Sequence, residues 1–514
     1  MFDRHVFVAA TRFGMGAAPG DAERIGNDPK GWLIEQLRPQ PLPAALAHLP
    51  STQALYDRFR TVQAERKAAQ RQAALAGTAA PASSPAPMAE MGEASDAISY
   101  GTPPDRPRQA GPLPQFRAAP IERHAAAPVV PVNAPAGQTA AIATPAMGEP
   151  LHDIYVGEAA ARTRAAVEST TPLHERLVRF WSNHFTVSVS RPPVLAIAGA
   201  FEREAIRPRV TGRFHDLLRA AAMHPAMLLY LDNAESIGPN SIAGLKRNKG
   251  LNENLAREML ELHTLGVDGG YSQADVTNFA RILTGWTLAH GNDGARGLAL
   301  FEPRFHEPGP KSLLGVTVRE GGPMECEAIF DLLARHPATA RFVATKLVRH
   351  FIADDPPKAA VEAVAERFHN SGGDLAQVMQ TVIARPEAWD PPLAKVRSPD
   401  DLVIATLRAL GDPPLEDKQI FRSLAVLGQA PWSAPSPAGW PDRADAWLGP
   451  EALMRRLEWA RGMAQKADRI DAAQMVQSSI DAVMGGATRD AIVRATDPRE
   501  KLMLLLASRE FERR

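Results

Sequence analysis

Apolar positions along this chain recur mostly at three- and four-residue spacing, the mark of amphipathic helices. In "YSQADVTNFARILTGWTL", Val276, Phe279, Ala280 and Leu283 fall on one stripe. Ser272 and Asp275 have capping-box spacing before it, and Gly285 closes the run. "TPLHERLVRFWSNHF" predicts another helix, with Thr171 as cap, Pro172 in the first turn and Glu175 near the capping-box position. His-Pro pairs at 224–225 and 336–337 interrupt apolar runs and predict a break and restart at each. Only "GNDGARGLALFEPRFHEPGPKSLLGVTV" has short-strand character, at most a small β-hairpin near 298–318. No βαβ alternation is present. The expected class is therefore all-α, a large multi-helix globular domain with long loops.

Residues 78–150 break the pattern. They hold 14 of the chain's 45 prolines, set among Ala, Ser and Thr with neither a helical nor a strand period. Such a segment buries too little apolar surface to offset its ordering entropy. It is expected to be a disordered Pro/Ala-rich insertion, with an extended arm docked on a partner as the alternative. The expected organisation is an N-terminal helical segment 1–77 packing on the main body, the insertion 78–150, and a main helical domain 151–514.

The totals narrow the function classes. Lys+Arg and Asp+Glu balance at 58 each, so no overall field draws the protein to nucleic acid, and none is expected as a partner. The single cysteine, Cys326, excludes an intrachain disulfide and a cysteine-based zinc site. The apolar run "VFVAA" near the start is too short for a secretory signal, and no stretch approaches the roughly 18 apolar residues of a membrane span. A cytoplasmic location is the expectation. Periplasmic location by co-export with a signal-bearing partner is the alternative.

The densest polar chemistry lies in "LNENLAREMLELHTLGVDGG", residues 251–270. On a helix, Asn254, Arg257, Glu258 and Glu261 share one face, while Leu255, Met259 and Leu262 form an apolar stripe beside it. Glu258 and Glu261, one turn apart, could reach one cation or share a proton, and like charges that close push one pKa up. Solvation of the stripe, or pairing with Arg257, is the plainer reading. The segment lacks the spacing of a recognised metal motif, so a divalent metal stays an open cofactor. Asn183 and His184 end a helix beside aromatics. Asp232 and Asn233 precede a long loop, and His306 lies on another. Trp432, Trp440 and Trp447 punctuate a Pro-rich loop, 431–447, that either anchors on the core or stacks a glycan or polymer. No P-loop, dinucleotide fingerprint or serine-nucleophile elbow is present.

The segments "ERLVRFWSNHF", "HPAMLLYLDN", "GLNENLAREMLELHTLGVDGGYSQADVTNFARILTGW", "FHEPGPKSLLG" and "LGQAPWSAPSPAGWPD" occur in this order. In that order they resemble a bacterial family catalogued as domain of unknown function 1800 (DUF1800), over nearly the whole chain apart from 78–150. The resemblance implies a largely helical protein without an assigned activity. It places motif positions at Asn183, His184, Asp232, Asn233, Asn252, Asn254, Arg257, Glu258, Glu261, His263 and His306. It also implies a partner of a second uncharacterised family, domain of unknown function 1501 (DUF1501), which resembles sulfatase- or phosphatase-type folds.

Three readings follow. The first is an accessory or scaffold protein working with such a partner. The second is a metal-assisted hydrolase or acid/base enzyme, with Glu258, Glu261, Arg257 and His184 as candidate catalytic residues and His306 converging on them. The third is glycan or polymer binding by the Trp-bearing loop, with Trp440 among its contacts.

Overall fold

A computed structural model describes residues 3–77, 149–247, 250–290, 295–411, 413, 415–467 and 471–514. The segment expected to be a disordered insertion lies outside them, except residues 149–150, which begin a helix. The helices that frame the sites below are α1 (Glu149–Val167), α2 (Pro172–His184), α3 (Asn254–Glu258), α4 (Gln273–Leu283), α5 (Pro323–Arg335), α6 (Pro337–Phe351), α7 (Pro399–Ala409) and α8 (Pro450–Lys466). The described residues of 3–65 and 149–514 fall into one compact unit. In it, N-terminal residues join the common core: the Phe13 ring lies 5.7 Å from Phe351 of α6.

The local signals act as their chemistry requires. Ser272 and Asp275 close a reciprocal capping box on α4. At both His-Pro junctions the histidine is itself the cap. His224 Nδ1 accepts from the Ala226 amide at 3.1 Å, and His336 Nδ1 from the Ala338 amide at 3.2 Å. Proline then occupies the first turn, where its missing N–H costs nothing. The fold is all-α apart from two small antiparallel ladders among the described residues. Strands β1 (Trp286–Leu288) and β2 (Ala299–Phe301) pair Trp286 with Phe301. Strands β3 (Lys311–Leu313) and β4 (Val316–Val318) make the hairpin. Its two turn residues, Leu314 and Gly315, both have positive φ (50° and 78°), as a tight turn matching strand twist demands. Among the described residues no helix is long and apolar enough to cross a membrane.

α2 departs from its sequence reading. Thr171 caps it without a side-chain hydrogen bond, and Glu175 does not close a capping box. Glu175 instead takes both terminal nitrogens of Arg207, at 2.5 and 2.9 Å. The reason is burial: α2 is covered on nearly all sides, and a buried carboxylate needs a cation more than a helix end needs a cap. The same rule runs outward from α2. Arg176 pairs with Asp401 at 2.9 Å, and Arg514 Nε reaches the same carboxylate at 2.9 Å. Arg179 meets Asp400 at 2.8 Å, and Arg162 of α1 joins Glu202 at 2.8 Å and Asp400 at 3.3 Å. Arg408 of α7 pairs with Asp21 and donates to the carbonyls of Gly16, Ala166, Val167 and Ser169.

Asp401 is the shared anion of this network. Burial opposes its charge, but Arg176 and Arg514 more than offset that and hold the carboxyl well below the usual aspartate range. Its stabilising effect is therefore complete above the ordinary value near 3.9 and is lost as pH falls toward the folded-state value. Asp401→Asn should strand two buried guanidinium groups and cost about 3–5 kcal/mol at neutral pH. Chemical denaturation of wild type and variant at pH 7 and pH 3 checks this; the gap should narrow at the lower pH.

Candidate functional site

A cleft of about 320 Å³ opens where the C-terminal end of α2, the last turns of α6 and the start of α7 meet the loop of residues 429–443. The loop is pinned to α2 by one side chain. Asn183 Nδ2 donates to the Trp440 carbonyl at 2.9 Å, and Asn183 Oδ1 accepts from the Trp440 amide at 2.7 Å. Gly439 permits the close approach: its φ is +81°, and a Cβ there would lie 2.4 Å from the Asn183 carbonyl oxygen. The tryptophans mostly serve the core. Trp432 is buried, donates to Glu202 at 3.3 Å and lies under the Arg162 guanidinium. Trp447 is buried and donates to the Pro441 carbonyl at 3.1 Å. Only Trp440 is partly exposed, so the three indoles do not line an open stacking groove.

Three basic side chains of α6 line the cleft: Lys346, Arg349 and His350. Their i, i+3, i+4 spacing puts them on one face. His350 Nδ1 donates to Asp442 Oδ2 at 2.7 Å, and Lys395 Nζ lies 3.4 Å from the other oxygen of Asp442. Burial pushes the imidazole below its usual value despite Asp442. Asp442 is held well below the usual carboxylate range: burial opposes its charge, but His350 and Lys395 more than offset that. His350 is thus a neutral ring with a fixed tautomer, its Nε2 lone pair buried and without a partner among the described residues. His184 also lines the cleft. Its Nε2 donates to the His263 carbonyl at 3.0 Å, its Nδ1 is buried without a partner among the described residues, and burial keeps it well below its usual pKa. Lys346 is half-buried, and burial lowers its ammonium to about 8.

The residues singled out in the sequence divide into groups. Asn183, His184 and Trp440 meet at the cleft; His263 does not line it, but its carbonyl accepts from His184. Asp232 sits at φ 57° and pairs with Arg191 at 2.7 Å. Buried Asn233 donates to the carbonyls of Leu283 and Trp286 and ties α4 to β1. Asn252 Oδ1 accepts from the Asn254 amide at the start of α3. His306 belongs to a separate buried cluster, with Nε2 2.9 Å from Glu325 and Lys311 2.9 Å from the same carboxylate.

The Glu258/Glu261 face is real but stands by itself. α3 passes at Met259 into a wider π-helical turn, Met259–His263, which keeps Met259, Leu260 and His263 buried. Arg257 bridges Glu253 at 3.0 Å and Glu261 at 3.6 Å. Glu258 has no such partner; burial, then Glu261, pushes its carboxyl up to about 7 against the pull of Arg257. The bonds of His184 and His306 go to His263 and Glu325, not to these carboxylates. Among the described residues no group of three or more His, Cys, Asp or Glu side chains is placed to hold a metal ion.

Sequence reasoning passed over Lys346, Arg349, His350 and Asp442. A signal existed: "KLVRHF" sets three basic groups on one helical face, and Asp442 ends the Trp-bearing motif "GWPD".

The family described as "Protein of unknown function (DUF1800)" matches residues 8–513. No curated protein and no solved structure matches the chain.

The raised carboxyl of Glu258 has a stability consequence. Between the ordinary glutamate value near 4.3 and about 7, the folded state holds a proton that the unfolded chain releases, so this residue's contribution falls as pH rises across that window. Glu258→Gln should therefore be more stable than wild type at pH 8 and close to it at pH 4.5. Denaturation midpoints at the two pH values check the sign.

Proposed function

The chain belongs to the DUF1800 family, whose description carries no activity, and from the geometry of the cleft we propose that it is an enzyme moving a proton on a small polar ligand. His350 is the general base and Asp442 orients it. The observation that carries this reading is the His350–Asp442 pair. One ring nitrogen is committed to a carboxylate at 2.7 Å, and the other is a lone pair with no partner among the described residues. A buried acceptor left unpaired costs about 1–3 kcal/mol, and such costs concentrate where a ligand supplies the missing donor. A carboxylate fixing the tautomer of a histidine is the arrangement that general-base catalysis needs. The cleft replaces the Glu258/Glu261 face as the reactive centre of the enzyme reading, because the cleft, unlike that face, joins a base, its orienting carboxylate and cations in one cavity.

The test is a panel of small organic acids screened by thermal shift, followed by proton NMR of each bound ligand in D2O. Wild type should exchange a ligand proton for deuterium. His350→Gln should bind comparably and exchange about 10²-fold more slowly. Equal exchange in the variant, or no ligand that raises the melting temperature, sinks the reading.

The accessory role beside a DUF1501-type partner is supported by a different surface. Leu453, Met454 and Leu457 are exposed on α8, an apolar strip without cover in the chain's own described residues. Co-expression with such a protein should give a complex that Met454→Glu/Leu457→Glu weakens. A complex indifferent to those changes, or none at all, removes this role.

A further inference from the structure

We propose that Lys346 is a nucleophilic amine that captures 2-oxo acids in the cleft as an imine, with Arg349 holding the carboxylate. The inference rests on the cleft being a proton-transfer site and adds its substrate class.

The charge pattern of the cleft is the starting point. Most cations that line it are already paired: Arg162 and Arg179 with Asp400, Arg176 with Asp401, Arg443 with Asp355. The two α6 cations are not. Lys346 has no hydrogen-bond or ion-pair partner among the described residues; its close contact is the Phe342 ring, 5.6 Å from the centroid. Arg349 makes one bond, from Nε to the Asp354 carbonyl at 3.3 Å, and has no carboxylate within ion-pair distance among the described residues. Asp442, the anion that acts on Lys346, is committed to His350 and Lys395. In a protein that pairs its interior charges so thoroughly, two adjacent cations facing one cavity without a counter-ion call for an anionic guest.

The amine itself is tuned for more than binding. Burial, slightly opposed by Asp442, lowers its pKa to about 8, so a sizeable fraction carries a free lone pair at mildly alkaline pH. Such a desolvated lysine next to another cation is how carbonyl-condensing enzymes prepare their nucleophile. Arg349 is that second cation, and it lowers Lys346 further.

The step balances without an oxidant or reductant. The Nζ lone pair attacks the keto carbon, the C=O π pair moves to oxygen, and a proton passes from nitrogen to that oxygen to give the carbinolamine. The nitrogen lone pair then forms the C=N bond as the C–O bond breaks, and the departing hydroxyl takes the nitrogen's remaining proton and leaves as water. His350 lies one turn along the same face and is placed to relay these protons. Lys346 and Arg349, three residues apart, match a ligand whose carboxylate and carbonyl are on adjacent carbons.

Full-length protein incubated with pyruvate and sodium cyanoborohydride at pH 8, then digested and mapped by mass spectrometry, tests this. Lys346 should be alkylated to near completion while the other lysines stay at trace levels. Lys346→Arg, folded by circular dichroism, should lose that label. Arg349→Gln should raise the half-saturating pyruvate concentration about tenfold, the equivalent of one charged hydrogen bond. Uniform labelling of all lysines, no label on Lys346 in folded protein, or an Arg349→Gln variant with unchanged pyruvate dependence each overturns the proposal. His350→Gln separates the two readings. Slower labelling supports both, and unchanged labelling of Lys346 keeps the amine while removing His350 as its proton relay.

Discussion

The structure depends on one constraint: a charge taken inside must find its opposite there. α2 carries Glu175, Arg176 and Arg179 into the interior, and each draws a partner from a distant part of the chain. Asp400 and Asp401 of α7, Arg207, Arg162 and Arg514 are placed by that demand as much as by apolar packing. Ion pairs of this kind add little net stability over an apolar core of the same shape, because desolvation offsets most of the attraction. What they do is forbid alternatives. A slip of α2 by one residue would leave several unpaired charges in an apolar surround.

That frame is also what makes the cleft stand out. Its lining joins paired guanidinium groups to the Trp440 loop, fastened by the two bonds of Asn183. Within it are two imidazole lone pairs without a hydrogen-bond partner and two cations without a counter-ion among the described residues. The same energetic rule that orders the core makes these four groups costly in isolation. Locally incomplete chemistry inside a globally consistent structure is where a ligand belongs. The Glu258 carboxyl is a milder case. It is half-buried and raised, and among the described residues it makes no ion pair, while Arg257 ties Glu253 and Glu261.

Much of the fold was legible from short-range signals. The capping box at Ser272, the His-Pro junctions and the helical period of Val276, Phe279, Ala280 and Leu283 each rest on chemistry within one or two turns, and each appears in the structure. Asn183, His184 and Trp440 were all marked in the sequence, but as separate features. Their meeting depends on a chain separation of more than two hundred residues, which no local pattern encodes. Glu175 shows the opposite failure: its spacing spoke for a cap, and burial reassigned it to Arg207.

By itself, the sequence determined the helical class, the helix starts and stops, the family motifs and the two-faced character of the Glu258 segment, because these follow from residue types a few positions apart. Tertiary structure alone decided which polar residues go inside, which find partners and which do not. That choice made a cleft of Lys346, Arg349, His350 and Asp442 rather than of the conspicuous paired glutamates. Reactivity is set by what a side chain lacks in its surroundings, and those surroundings are assembled from distant parts of the chain.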